Sequence, residues 1–250
     1  MRLTVLASGS AGNGYLFEAR HSALLVECGV RPEVMMRRTD VPLSKIAGAL
    51  VTHEHRDHAG FVDRYAALGI PIYASRGTLD AIGSGRFKGT IRPVRAMNTF
   101  RVGDFVVSPF GTRHDAAEPL GFIIGHPEAG RILFLTDTAF CPYDFRALHL
   151  DHILVEANYD DGILDGNVAS GLVDAARAAR TRRDHMSLRS ACELIRADQT
   201  AELKNVILIH LSSQNADAAK FARRAEETAL FAKIAVAKAG LTADLNKSEI

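Results

Sequence analysis

The chain has 250 residues, 47% apolar and 24% charged, with a formal charge of +1. That is enough for one large domain with a substantial core, and it excludes whole-chain attraction to nucleic acid, so any such binding must come from local patches. The three cysteines, Cys28, Cys141 and Cys192, lack paired spacing, which argues against a disulfide framework and for a reducing cytosol.

The opening Leu3-Thr4-Val5-Leu6 has no signal-peptide shape, and the apolar runs are too short to span a bilayer. A cytoplasmic chain without a membrane partner is expected. Strands are predicted at 2–7, 14–18, 23–27, 48–52, 71–74, 105–110, 121–124 and 132–136, from short apolar runs between turn residues. Helices are predicted near 32–38, 61–68 and 78–82. In the second half, strands at 153–156, 206–210 and 234–237 alternate with helices at 171–180, 187–196 and 216–231. No linker, repeat or low-complexity segment interrupts this order, so 1–250 reads as a single domain with 242–250 a loose tail. Strands first paired as meanders and then alternating with helices predict two sheets covered by helices.

The most informative stretch is Thr52-His53-Glu54-His55-Arg56-Asp57-His58, an H-x-H-x-D-H pattern after an apolar run. In an extended segment, residues i and i+2 point the same way, so His53 and His55 can grip one ion. A turn after them lets Asp57 and His58 face a second. Imidazole nitrogen and carboxylate oxygen suit zinc, and such mixed sites also hold manganese or iron. Further on, His114 follows a predicted strand, and Asp137 and His210 each end one. Alone, each is an ordinary turn, cap or surface residue. With the first motif they make seven ligand-type residues, enough for two ions.

With these motifs the chain resembles a metallo-β-lactamase-fold hydrolase over nearly its whole length. The resemblance implies an α/β fold, a four-layer αβ/βα sandwich with metals at one edge. It implies His53, His55 and His114 on one ion, Asp57, His58 and His210 on the other, and Asp137 shared. Ser8-Gly9-Ser10-Ala11-Gly12-Asn13 is similar to the S-G-S-x-G-N opening of the YycJ/WalJ/VicX-type DNA exonucleases. The third-motif region, Arg113-His114-Asp115-Ala116 through Pro119-Leu120-Gly121-Phe122, and Val155-Glu156-Ala157-Asn158-Tyr159-Asp160 are similar to that group too. The chain departs from it at Tyr159, where the group commonly has His, and at Asp184-His185-Met186-Ser187-Leu188, where the group has G-H-L-S-N.

Three features stay open. The Ser8–Asn13 glycine turn is either a phosphate cradle or a plain hairpin turn. Glu27 either fixes the tautomer of a ligand imidazole or is an otherwise paired buried acid. His185 is similar in position to the non-ligand histidine of the superfamily's tRNA-processing enzymes, which would neutralise phosphate charge or protonate the leaving oxygen; otherwise it is a surface histidine. Asp57 and His185 are the expected catalytic residues.

Two basic stretches, Arg177, Arg180, Arg182, Arg183 and Arg189, and Arg76, Arg86, Lys88, Arg92 and Arg95, offer guanidinium forks for phosphate. No aromatic stacking platform is evident. The expected function is a phosphodiester hydrolase on nucleic acid, a DNA exonuclease using a metal-activated water, with two divalent ions, zinc or manganese. The alternatives are a small cyclic or nucleotide phosphodiesterase, or a thioesterase or lactonase on the same dinuclear site. No stable protein partner is evident.

Overall fold

The computed structural model describes residues 1–83 and 89–247. Among them, fourteen strands fall into two seven-stranded mixed sheets flanked by helices. The chain divides into two compact units, one holding 1–111, 116–130 and 238–250, the other 112–115 and 131–237.

The first unit starts with a hairpin, β1 (Arg2–Ala7) and β2 (Gly14–Glu18), in antiparallel register with Arg2 opposite Glu18. β3 (Ala23–Val26), β4 (Ile46–Leu50), β5 (Ile72–Ser75) and β6 (Ile91–Val94) then run parallel. Parallel neighbours need crossovers. These are supplied by α1 (Pro32–Arg38), by the short α2 (Arg56–Ala59) with α3 (Val62–Ala67), and by α4 (Arg76–Ala81). β3 is buried at all four positions, as a continuous apolar strand covered on both faces should be. A last strand, β14 (Thr242–Asp244), pairs antiparallel with β1, giving the order β14-β1-β2-β3-β4-β5-β6. The same unit carries an antiparallel meander of β7 (Phe100–Val102), β8 (Phe105–Gly111) and β9 (Leu120–His126).

The second unit is built on parallel strands β10 (Gly130–Leu135), β11 (His152–Glu156), β12 (Asn205–Ile209) and β13 (Lys233–Val236). Its helices are α5 (Asp161–Ala169), α6 (Ala175–Asp184), α7 (Leu188–Asp198) and α8 (Ala218–Glu226). Each starts on a side-chain cap, Asp160, Asp174, Ser187 and Asp217 respectively, whose oxygen accepts an otherwise orphaned backbone N–H.

The cap at Asp174 explains why the helix expected at 171–180 begins later and runs to Asp184. Residues 242–244, read from sequence as the start of a loose tail, form β14, and Leu245 behind them is buried. Residues 248–250 of that tail, and Arg86 and Lys88 of the basic stretch from Arg76 to Arg95, lie outside the described residues. Among the described residues, no helix is long and apolar enough to cross a membrane.

Candidate metal centre

In the first unit, ligand-type side chains gather beyond the C-terminal end of β4. His53 and His58 are buried, and their rings lie 4.2 Å apart; His53 and His55 are 4.7 Å apart, edge to face. Thr52 Oγ1 lies 2.8 Å from His53 Nδ1. The single turn of α2 brings Asp57 and His58 round, with the His58 N–H donating to His55 O. His58 Nε2 and Asp57 Oδ2 are 3.2 Å apart.

Two neighbours hold this turn. Glu27, buried and left-handed at φ 69° just after β3, sets Oε1 3.4 Å from His58 Nδ1 and accepts the Thr52 backbone N–H on Oε2 at 3.4 Å, so it is a paired buried acid with a ligand-type imidazole beside it. Asn13 donates its backbone N–H to Asp57 O at 2.7 Å and places Nδ2 3.1 Å from His58 Nε2. Two more amides of the glycine turn are used internally, Gly12 N to Gly9 O and Gly9 N to Asn13 Oδ1. Through Asn13 the segment clamps the Asp57–His58 turn.

In the second unit, the strands β10, β11 and β12 deliver side chains at their C-terminal ends, the usual place for sites in parallel sheets. Asp137 lies two residues past β10 and His210 one past β12, both left-handed at φ 47° and 55°. His114 Nδ1 donates to Asp184 O at 2.9 Å, which sets Nε2 on the Asp137 side, 3.6 Å from Asp137 Oδ2. His210 Nδ1 is 3.3 Å from Asp137 Oδ1, and its backbone carbonyl accepts from Asn158 Nδ2 at 2.9 Å.

These spacings test the fit of a metal. Two ligands bonded at about 2.1 Å in tetrahedral geometry sit about 3.4 Å apart. The pairs Asp57–His58, Asp137–His114 and Asp137–His210, at 3.2, 3.6 and 3.3 Å, fall on that spacing.

The sequence pattern of the family described as Beta-lactamase superfamily domain matches residues 23–211. The chain belongs to the beta-lactamase superfamily. Its matched span begins at β3 and ends one residue after His210. Relatives in the superfamily include exodeoxyribonuclease YycJ of Bacillus anthracis, 29% identical over 228 residues, covering 86% of this chain and 84% of that one. Exodeoxyribonuclease WalJ of Streptococcus pneumoniae serotype 2 (strain D39 / NCTC 7466) is 28% identical over 227 residues, covering 86% and 82%. The fold matches the metallo-beta-lactamase fold protein YhfI from Bacillus subtilis with a TM-score of 0.75, at 18% identity, over 97% of this chain and 99% of that one. The chain is thus a metallo-hydrolase of the superfamily, with an α/β architecture of two helix-flanked sheets.

One residue that sequence reasoning gave no role is Glu156. It ends β11 as Asp137 and His210 follow β10 and β12, and it is fully buried. Its Oε2 accepts the backbone N–H groups of Thr138 and Met186, each at 3.1 Å, and Oε1 accepts His185 Nδ1 at 2.7 Å. A charge closing a buried apolar strand is the signal that marked it, because a buried carboxylate must be partnered. Burial works against charge on both partners. Their contact outweighs it, holding Glu156 below the usual carboxylate range and raising His185 above the usual imidazole range. Ligand-type atoms of Asp137, Glu156, His185 and His210 all lie within 4.8 Å of one another, so His185 stands inside the cluster rather than beside it.

The basic stretch from Arg177 to Arg189 is largely neutralised. Arg182 pairs with Asp165, Arg183 with Asp184 at 2.8 Å, Arg180 with Asp115 and Asp184, and Arg189 with Asp161. The pairs exposed on both sides add little stability, and together with those to the buried Asp184 they lower the stretch's pull on a phosphate chain.

His185→Ala is expected to lower turnover by about 100-fold or more while metal content stays unchanged. Metal analysis beside initial rates checks both halves. Loss of one equivalent of metal would make His185 a ligand instead.

Proposed function

We propose that the chain is a metal-dependent phosphodiester hydrolase acting on nucleic acid, specifically a DNA exonuclease. The ligand-type pairs at metal spacing carry the chemistry of this reading. The likeness to two exodeoxyribonucleases, over 86% of this chain, supports DNA as the substrate. In the proposal, His53, His55 and His114 hold one divalent ion, Asp57, His58 and His210 a second, and Asp137 both, with zinc or manganese as the metal.

Bound ions of this kind acidify a water and draw in phosphate oxygens. The chain's own residues do the rest. Asn13 and Glu27 fix the Asp57–His58 turn, so its donors are in place before substrate arrives. Asp57 serves as a ligand and orients the water by hydrogen bond. His185, with Nδ1 committed to Glu156, offers Nε2 to the leaving oxygen as a proton donor. The left-handed backbone at Asp137 and His210 turns both side chains sharply out of the ends of their strands.

A labelled-oligonucleotide panel tests the reading. It holds single- and double-stranded DNA and RNA and a cyclic nucleotide, each with zinc and with manganese. Protein purified without chelator should carry about two equivalents of metal and shorten DNA from an end. Cleavage of the cyclic nucleotide alone would replace DNA by a small phosphodiester. Metal content near zero, with no rebinding on titration, would overturn the dinuclear site.

A further inference from the structure

We infer that Phe140 and Arg113 form a stacking subsite for the nucleobase next to the cleaved phosphate. The inference rests on the nucleic-acid reading and adds to it where the base, rather than the phosphate, is held. The second unit contains a cleft of about 510 Å³ whose lining includes Arg113, His114, Ala139, Phe140 and Arg183. That volume suits a small organic group, and His114 on its wall is a proposed metal ligand.

Phe140 is 43% exposed, a large apolar face turned to solvent. The Arg113 guanidinium lies over its ring, 5.4 Å from the centroid. Among the described residues Arg113 forms no ion pair, whereas Arg183 across the cleft is held by Asp184. The pair is preorganised through the buried Thr138. The Arg113 N–H donates to Thr138 Oγ1 at 3.2 Å, and that hydroxyl donates to Phe140 O at 2.9 Å. A flat ring capped by a planar cation, joined by backbone to two residues that flank proposed ligands, is the chemistry that receives a nucleobase. Every base has a π-face, so such a subsite is tolerant of sequence. An acyl chain would find the charged walls of this cleft unfavourable. The sequence hid the platform because Phe140 and Arg113 are distant in the chain.

The test uses three matched single-stranded DNA oligonucleotides: one intact, one abasic at the 5′ end, one abasic at the 3′ end. Wild-type protein should cleave one of the abasic strands about ten-fold more slowly than the intact strand, the order of effect of one stacked base. Phe140→Ala should cleave intact and abasic strands at the same reduced rate, and Phe140→Trp should restore the preference. Melting curves should coincide for all three proteins, because the ring is exposed. Equal cleavage of all three strands by wild type, or a preference that survives in Phe140→Ala, overturns the subsite while leaving the nuclease reading intact. No cleavage of any strand by wild type overturns the nuclease reading, and the subsite with it.

Discussion

Replacing Asp137 with alanine is expected to reduce phosphodiester hydrolysis by about three orders of magnitude, on the order of 4 kcal/mol of lost transition-state stabilisation. Asp137 sets one carboxylate oxygen toward His114 and the other toward His210, so a single substitution removes an oxygen from both pairs. The apolar core should survive. Ile132 to Leu135 before it are buried by their own side chains, and Asp137 contributes no apolar packing. Alanine does carry a backbone cost of about 1 kcal/mol, because position 137 is left-handed at φ 47°, a conformation that Asp and Asn tolerate through their short polar side chains and alanine does not. Asparagine tolerates that conformation and keeps the shape. Asp137→Asn should therefore lose hydrolysis as alanine does and melt closer to wild type. Rates on a DNA oligonucleotide, with metal content and thermal melts for both variants, decide the matter. Near-wild-type turnover in either, with metal content verified, would remove Asp137 from the site.

Gly29→Ala should be the most destabilising single-methyl addition near the site. A Cβ at Gly29 would stand 1.7 Å from Asp57 O, 2.5 Å from Asp57 C and 2.6 Å from Asn13 N. All three are backbone atoms, so no rotamer change relieves the clash, and whole segments must separate. Separation would break the Gly29 N–H to Asn13 O and the Asn13 N–H to Asp57 O hydrogen bonds together. The cost is expected to exceed about 4 kcal/mol, which lowers the melting temperature by roughly 10 °C in a chain of this size. Gly166, inside α5 with nothing within 4 Å of its added Cβ, is the control of opposite sign. Gly166→Ala should stabilise by about 0.5–1 kcal/mol. A Gly29→Ala protein that melts with wild type would mean that the clamp moves freely and has no part in holding Asp57.

Much of the architecture was legible because local signals agreed with it. Arg2–Ala7, Gly14–Glu18 and Pro32–Arg38 form at the predicted bounds. Each is an apolar run or a Pro-started helix that needs no distant partner to be recognised. β6 was missed because its Arg92 and Pro93 are exposed and read as a loop; proline is tolerated there on an edge strand. α5 was missed because Gly162 and Gly166 weaken its helical signal, and the Asp160 cap restores it. The seven ligand-type residues were visible as polar residues closing apolar runs. The structure sets His53, His55, Asp57 and His58 in one unit and His114, Asp137 and His210 in the other. Asn13 as a clamp and the carboxylates that quench the arginines were not legible. Asn13 meets Asp57 across 44 positions, and Arg182 meets Asp165 across 17, so neither pair leaves a local trace.

The left-handed residues at 27, 137 and 210 also bear on how this chain would respond to laboratory evolution. Each stores backbone strain that a glycine would release, since glycine visits that conformation freely. A library screened only for heat resistance would therefore be drawn toward glycine at these three positions. It would collect sturdier proteins that had discarded the side chains around which the two clusters are arranged. A screen that also demands turnover would keep Glu27, Asp137 and His210 and find its gains elsewhere, on exposed helix positions such as Gly166.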